Sequence, residues 1–90
     1  MRATRSRLAS RFGAVIRRHR EAQKWTQDDF ARHINMHRAQ YGTFERGDAN
    51  DVQMSTLERI AAGLGESVWA LVREAEESQP ARPMRASRGK

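Results

Sequence analysis

The chain of 90 residues has no cysteine, so it can form neither a disulfide nor a thiolate metal site, which suits a reducing compartment. No apolar run approaches the ~18 residues of a membrane span, and the basic N-terminal segment lacks the apolar stretch of a signal peptide. The cytoplasm is therefore the expected location. No Ser/His/acid set, glycine-rich phosphate loop or paired carboxylate stands in the sequence, so no enzyme and no cofactor are expected. Of the three histidines, His19 falls on an apolar helix face, and a turn separates His33 from His37, which argues against metal-binding spacing. No internal repeat and no strand pattern is visible. The only two prolines, Pro80 and Pro83, sit with Arg, Ser and Gly in a segment from Ser78 that reads as a disordered tail.

What is present is uneven charge. The net charge is +6, yet Met1 to Lys24 carries +7, Trp25 to Glu77 carries −5, and Ser78 to Lys90 carries +4. A basic arm (residues 1–7) and a basic tail (78–90) thus flank a body (8–77), a layout that grips a polyanion from its ends. Arg2, Arg5 and Arg7 in the arm, with Arg17 and Arg46, are the candidate phosphate contacts.

Residues Trp25 to Gly47 read as two short helices joined by a turn. Thr26 is a good N-cap, Asp28 and Asp29 favour the first turn, and Trp25 with Phe30 occupy the positions of a hydrophobic staple, so a helix starts at Gln27. Phe30, Ala31 and Ile34 give it one apolar face, and Asn35 suits the left-handed stop. After Asn35-Met36-His37, a second helix runs from about Arg38 to Arg46 with Tyr41 and Phe44 turned inward, ending at Gly47. Such a unit serves mainly to lay its second helix in the major groove of DNA.

Helical spacing of Leu8, Phe12, Val15, Ile16 and His19 predicts a first helix from about Arg5 to Gln23. Ser55-Thr56-Leu57-Glu58 reads as a capping box that starts a fourth helix, with Leu57, Ile60, Ala61 and Leu64 inward and Gly65 as its stop. Ser67 caps a fifth, roughly Val68 to Glu76. The expected fold is all-α, a five-helix bundle.

The motifs Thr26-Gln27, Phe30-Ala31, Phe44-Glu45-Arg46-Gly47, Leu57-Glu58-Arg59-Ile60-Ala61 and Leu64-Gly65 together resemble the Cro/repressor (XRE-type) helix-turn-helix family of bacterial and phage transcription regulators. The resemblance covers roughly Phe12 to Leu71 and implies the lambda-repressor-like bundle. It departs from the family at His37, where Ser or Thr usually caps the recognition helix, at Gly42 inside that helix, and in a longer loop from Asp48 to Gln53. By position it implies base contacts from Arg38, Ala39, Gln40 and Thr43, whose chemistry suits guanine, thymine-methyl and base-edge contacts. It also implies a phosphate contact from Gln27 and a structural ion pair between Arg20 and Glu45. Val68 and Leu71 match buried positions, whereas Trp69 falls where a polar residue is usual. With Val72 beside it, Trp69 is the expected anchor of a homodimer.

Together these features imply a sequence-specific DNA-binding transcription regulator, repressor or controller in type, acting as a homodimer on an inverted-repeat operator of double-stranded DNA. At this length no ligand-sensing domain is expected, which leaves regulation to concentration, cooperativity or an unidentified protein partner. The other reading of the residues is a helical adaptor that binds a protein, antitoxin-like, and holds nucleic acid only nonspecifically.

Overall fold

The computed structural model describes residues 7–78, and within them the chain forms five helices and no strand: α1 (Arg7–Ala22), α2 (Gln27–His33), α3 (Arg38–Arg46), α4 (Met54–Leu64) and α5 (Val68–Glu77). Arg2, Arg5 and the tail from residue 79 onward lie outside the described residues. Arg7, assigned above to the arm, is the first residue of α1. No helix among the described residues is long and apolar enough to cross a membrane.

α1 is the centre of the bundle and packs against α3, α4 and α5. Its Val15 and Ile16 are fully buried, in a core that also takes Phe30 and Ala31 from α2, Tyr41 and Phe44 from α3, Ile60, Ala61 and Leu64 from α4, and Leu71 and Ala75 from α5. Helices 7–16 residues long are marginal alone. Burial of this shared apolar stripe is what keeps them helical.

Local signals set the breaks between helices. α1 stops where Lys24 takes a left-handed conformation (φ 68°), and the Trp25 amide donates back to the Arg20 carbonyl at 3.1 Å. Thr26 then caps α2, its hydroxyl accepting from the Asp29 amide at 3.0 Å, while the Trp25 and Phe30 rings meet edge to face at 6.0 Å as the staple requires. Asn35 is left-handed (φ 59°), and the Met36 amide closes the turn on the Ala31 carbonyl at 2.8 Å. Met36 itself plugs into the core. Gly47 and Gly65, at φ 78° and 76°, end α3 and α4. Ser67 caps α5 through the Ala70 amide at 3.0 Å.

The fourth helix departs from the expected start. Gln53, not Ser55, is the N-cap residue, with extended φ −87° and ψ 145°, and it makes no side-chain capping bond. Asp51, left-handed at φ 49°, turns the chain early enough that Met54 is already helical, so Ser55 lies inside the first turn and the capping box does not form.

Candidate nucleic-acid interface

The unit from Gln27 to Gly47 positions one face of α3 outward. Tyr41, Gly42 and Phe44 are buried, which leaves Arg38, Ala39 and Gln40 exposed and Thr43 at the edge. The Thr43 hydroxyl donates to the Gln40 carbonyl one turn back at 2.7 Å. Its proton is thus committed to the helix, and what it presents outward is an acceptor oxygen and a methyl group.

Behind this face lies a buried carboxylate. Glu45, its side chain only 3% exposed, accepts Nε of Arg20 from α1 at 2.7 Å, Nη2 of the same guanidinium at 3.2 Å, the Tyr41 hydroxyl at 2.5 Å and the Gln27 amide from α2 at 2.8 Å. Arg20 also donates to the Trp25 carbonyl at 2.6 Å. Burial alone would raise the Glu45 pKa, but the hydrogen bonds from Arg20, Tyr41 and Gln27 outweigh it and hold the carboxyl below the ordinary glutamate range. The hydrogen bond from Arg20 to Glu45 raises the guanidinium in turn, and burial followed by the Glu45 bond pushes the Tyr41 phenol well above its usual value. The network is charged, satisfied and locked at neutral pH. The Arg20–Glu45 pair is where the sequence placed it; the shares of Tyr41 and Gln27 in it were not foreseen, although Tyr41 and Glu45 are one helical turn apart.

Gln27 also faces outward. Its amide nitrogen is turned to Glu45, which can only accept, so its oxygen faces α3 and receives Arg38 Nη2 at 3.4 Å. The structure therefore brings Gln27 and Arg38 together at the head of the recognition helix. Arg46 reaches Asp48 at 3.3 Å just beyond the other end. Arg17, on α1, pairs with Glu21 at 3.1 Å on an exposed face. Trp69 and Val72 lie on α5, Trp69 67% exposed and Val72 half-buried.

The histidines take structural places. His19 bonds Glu74 at 2.8 Å across α1 and α5, and that bond, aided by one from Arg18, holds the Glu74 carboxyl below its usual range. His33 stacks on Trp25 with centroids 4.6 Å apart. His37 is the N-cap of α3 but makes no side-chain capping bond. No group of three potential metal ligands occurs among the described residues.

A seven-residue helix, a four-residue connection and a nine-residue helix with one exposed polar face, braced from behind by a buried ion pair, define a helix-turn-helix DNA-binding protein. Residues 11–74 match the Helix-turn-helix domain family, and the chain belongs to it. Among solved structures it is similar to the clp gene regulator ClgR from C. glutamicum, at 26% identity and a TM-score of 0.74 over 86% of this chain and 97% of that one. It is also similar to the restriction-modification controller protein C.AhdI from Aeromonas hydrophila, at 27% identity and a TM-score of 0.65 over 70% of this chain and 94% of that one. A likeness of 25% identity and TM-score 0.64 to hydroxypropylphosphonic acid epoxidase from S. wedmorenis covers 70% of this chain but 33% of the enzyme. No curated protein sequence matches the chain. The five-helix fold and the resemblance to the XRE-type regulators both hold, and the protein is a DNA-binding transcription regulator of that type.

Proposed function

We propose that the protein reads an inverted-repeat operator as a homodimer, with Arg38, Ala39, Gln40 and Thr43 facing base edges in the major groove. The observation that carries this is the outward face of α3, fixed by the Glu45 network and headed by an arginine whose fork suits guanine. Gln27, Arg17 and Arg46, with Arg2, Arg5 and Arg7, are assigned to phosphates. Each of Arg17 and Arg46 exchanges an exposed carboxylate partner for a phosphate on binding, an exchange of low cost because exposed ion pairs contribute only ~0–1 kcal/mol. The same reading gives the protein a cytoplasmic place on the nucleoid and no catalytic step. ClgR and C.AhdI, a gene regulator and a controller protein, support regulation over an adaptor role.

The test is discrimination. Titrated with the region upstream of its own gene and with random duplex of equal length, a sequence-specific regulator prefers the former by ~10³-fold or more at physiological salt. Equal affinities, both falling steeply with salt, would identify the adaptor instead.

A further inference from the structure

Trp69 stands out of α5 with 67% of its surface open. Arg73 covers one face of the indole, its guanidinium carbon 5.1 Å from the ring centroid, and Glu77 holds Arg73 at 2.9 Å. Three residues on, and hence on the adjoining face of the helix, Val72 forms one wall of an apolar groove of about 300 Å³. Leu8 and Phe12 of α1, Phe44 of α3, Leu57 of α4, and Ala49 and Val52 of the α3–α4 loop line most of the rest, and no charged side chain does. A large apolar knob and an apolar hollow thus lie side by side on one surface.

The chain outside the described residues does not suit the hollow. Residues 1–6 and 79–90 carry six cations and no acid, with Met1 and Met84 as their only large apolar residues, and bringing those cations against an uncharged wall strips them of water without offering a partner. A second copy does supply the matching piece. A buried tryptophan covers roughly 150–250 Å², and a two-fold axis sets knob against hollow twice. Two indoles in two grooves, with both exposed Val52 side chains, form an apolar centre for the ~1,200–2,000 Å² that a stable pairing buries.

We infer that Trp69 of each protomer occupies the apolar groove of a second copy, behind the C-terminal end of that copy's recognition helix. This rests on the homodimeric reading above and adds to it the socket and its consequence. Because Phe44 and the α3–α4 loop are walls of the groove, the partner's indole braces α3 from the side opposite the DNA. Each reading face is completed by the other copy, and pairing strengthens the grip of each half-site as well as joining two of them.

Sedimentation of the full chain at micromolar concentration tests this with two variants. Trp69→Ala removes the knob and leaves the groove; Val52→Arg, at an exposed position, blocks the groove and leaves the knob. Each alone is expected to raise the dimer dissociation constant by ~30-fold or more, while an equimolar mixture forms a heterodimer tighter than either variant's own dimer, since one knob and one open groove remain. Circular dichroism checks that both are folded; should Val52→Arg unfold, Ala49→Trp fills the groove without adding charge. If Trp69→Ala is monomeric but the groove variants dimerise as the wild type does, or the mixture pairs no better than its parts, the socket is wrong and the homodimer stands. A monomeric wild type overturns both.

Discussion

Gly13 of α1 and Glu45 of α3 meet backbone to backbone: a β-carbon on Gly13 would overlap the Glu45 carbonyl oxygen, and the Phe44 carbonyl with it. Because both obstacles are main chain, no rotamer relieves them. Gly13→Ala must push α1 off α3 at a cost of ~1–3 kcal/mol or more, which exceeds the ~1 kcal/mol that alanine returns inside a helix. Gly42 is the contrasting case, since a β-carbon there meets only the flexible end of Arg46 at 3.3 Å. Thermal unfolding should therefore show Gly13→Ala melting lower and Gly42→Ala higher, the latter by several degrees at ~4–8 °C per kcal/mol for a domain of this size. A higher melting point for Gly13→Ala would contradict the close approach.

Stability should depend on acid through Glu45. Its folded pKa lies below the unfolded value of about 4.3, so its contribution is complete at neutral pH and is lost as pH falls below that value through the folded one. NMR titration of this carboxyl should find its midpoint under the ordinary glutamate range, and the melting temperature should fall between pH 5 and pH 3. Glu45→Gln at neutral pH leaves Arg20 buried without its anion and should cost ~3–5 kcal/mol, enough to leave so small a domain near its unfolding limit.

Arg38 should act on specificity. Arg38→Ala is expected to lower affinity for the operator by ~1–3 kcal/mol and to relax preference at one base pair, with affinity for random duplex much less changed. Equal losses on both duplexes in a binding titration would make Arg38 a phosphate contact.

Part of the salt dependence should come from the ends. Residues 7–78 carry eleven basic and eleven acidic side chains, so the whole net charge of +6 lies outside them. Deleting Met1 to Ser6, with Arg2 and Arg5, should reduce the slope of log affinity against log salt by up to ~2 units while leaving the order of preferred sites intact. An unchanged slope would remove those arginines from the interface.

Features that depend on a few neighbouring residues were legible in the sequence. The Thr26 cap, the Trp25–Phe30 staple and the left-handed stops at Asn35, Gly47 and Gly65 are local matters, and each helix boundary they fix was anticipated. The Ser55 capping box failed because a left-handed Asp51 upstream reset where the helix begins, a loop geometry with no strong residue signal. Close approaches were hidden for another reason: Gly13 answers to Phe44 and Glu45, and Gly63 to Ile34 and Phe30, partners some 30 residues away. The reading face came from position within the family motif. The apolar groove needs walls from α1, α3, α4, α5 and a loop, and no single stretch of sequence announces it.

One carboxylate also sets how this domain breathes. Arg20 of α1, Gln27 of α2 and Tyr41 of α3 all end on Glu45, so parting α1 from α3 strands a buried charge, and releasing α2 takes a hydrogen bond from that buried carboxylate. α2, with seven residues, has no helical stability of its own to fall back on. Opening of α1, α2 or α3 alone is therefore disfavoured, and the three behave as one cooperative unit. Amide hydrogen exchange should find the slowest protons of α2 protected to the same free energy as those of α1 and α3, an unusual degree of protection for so short a helix at the surface of a small protein.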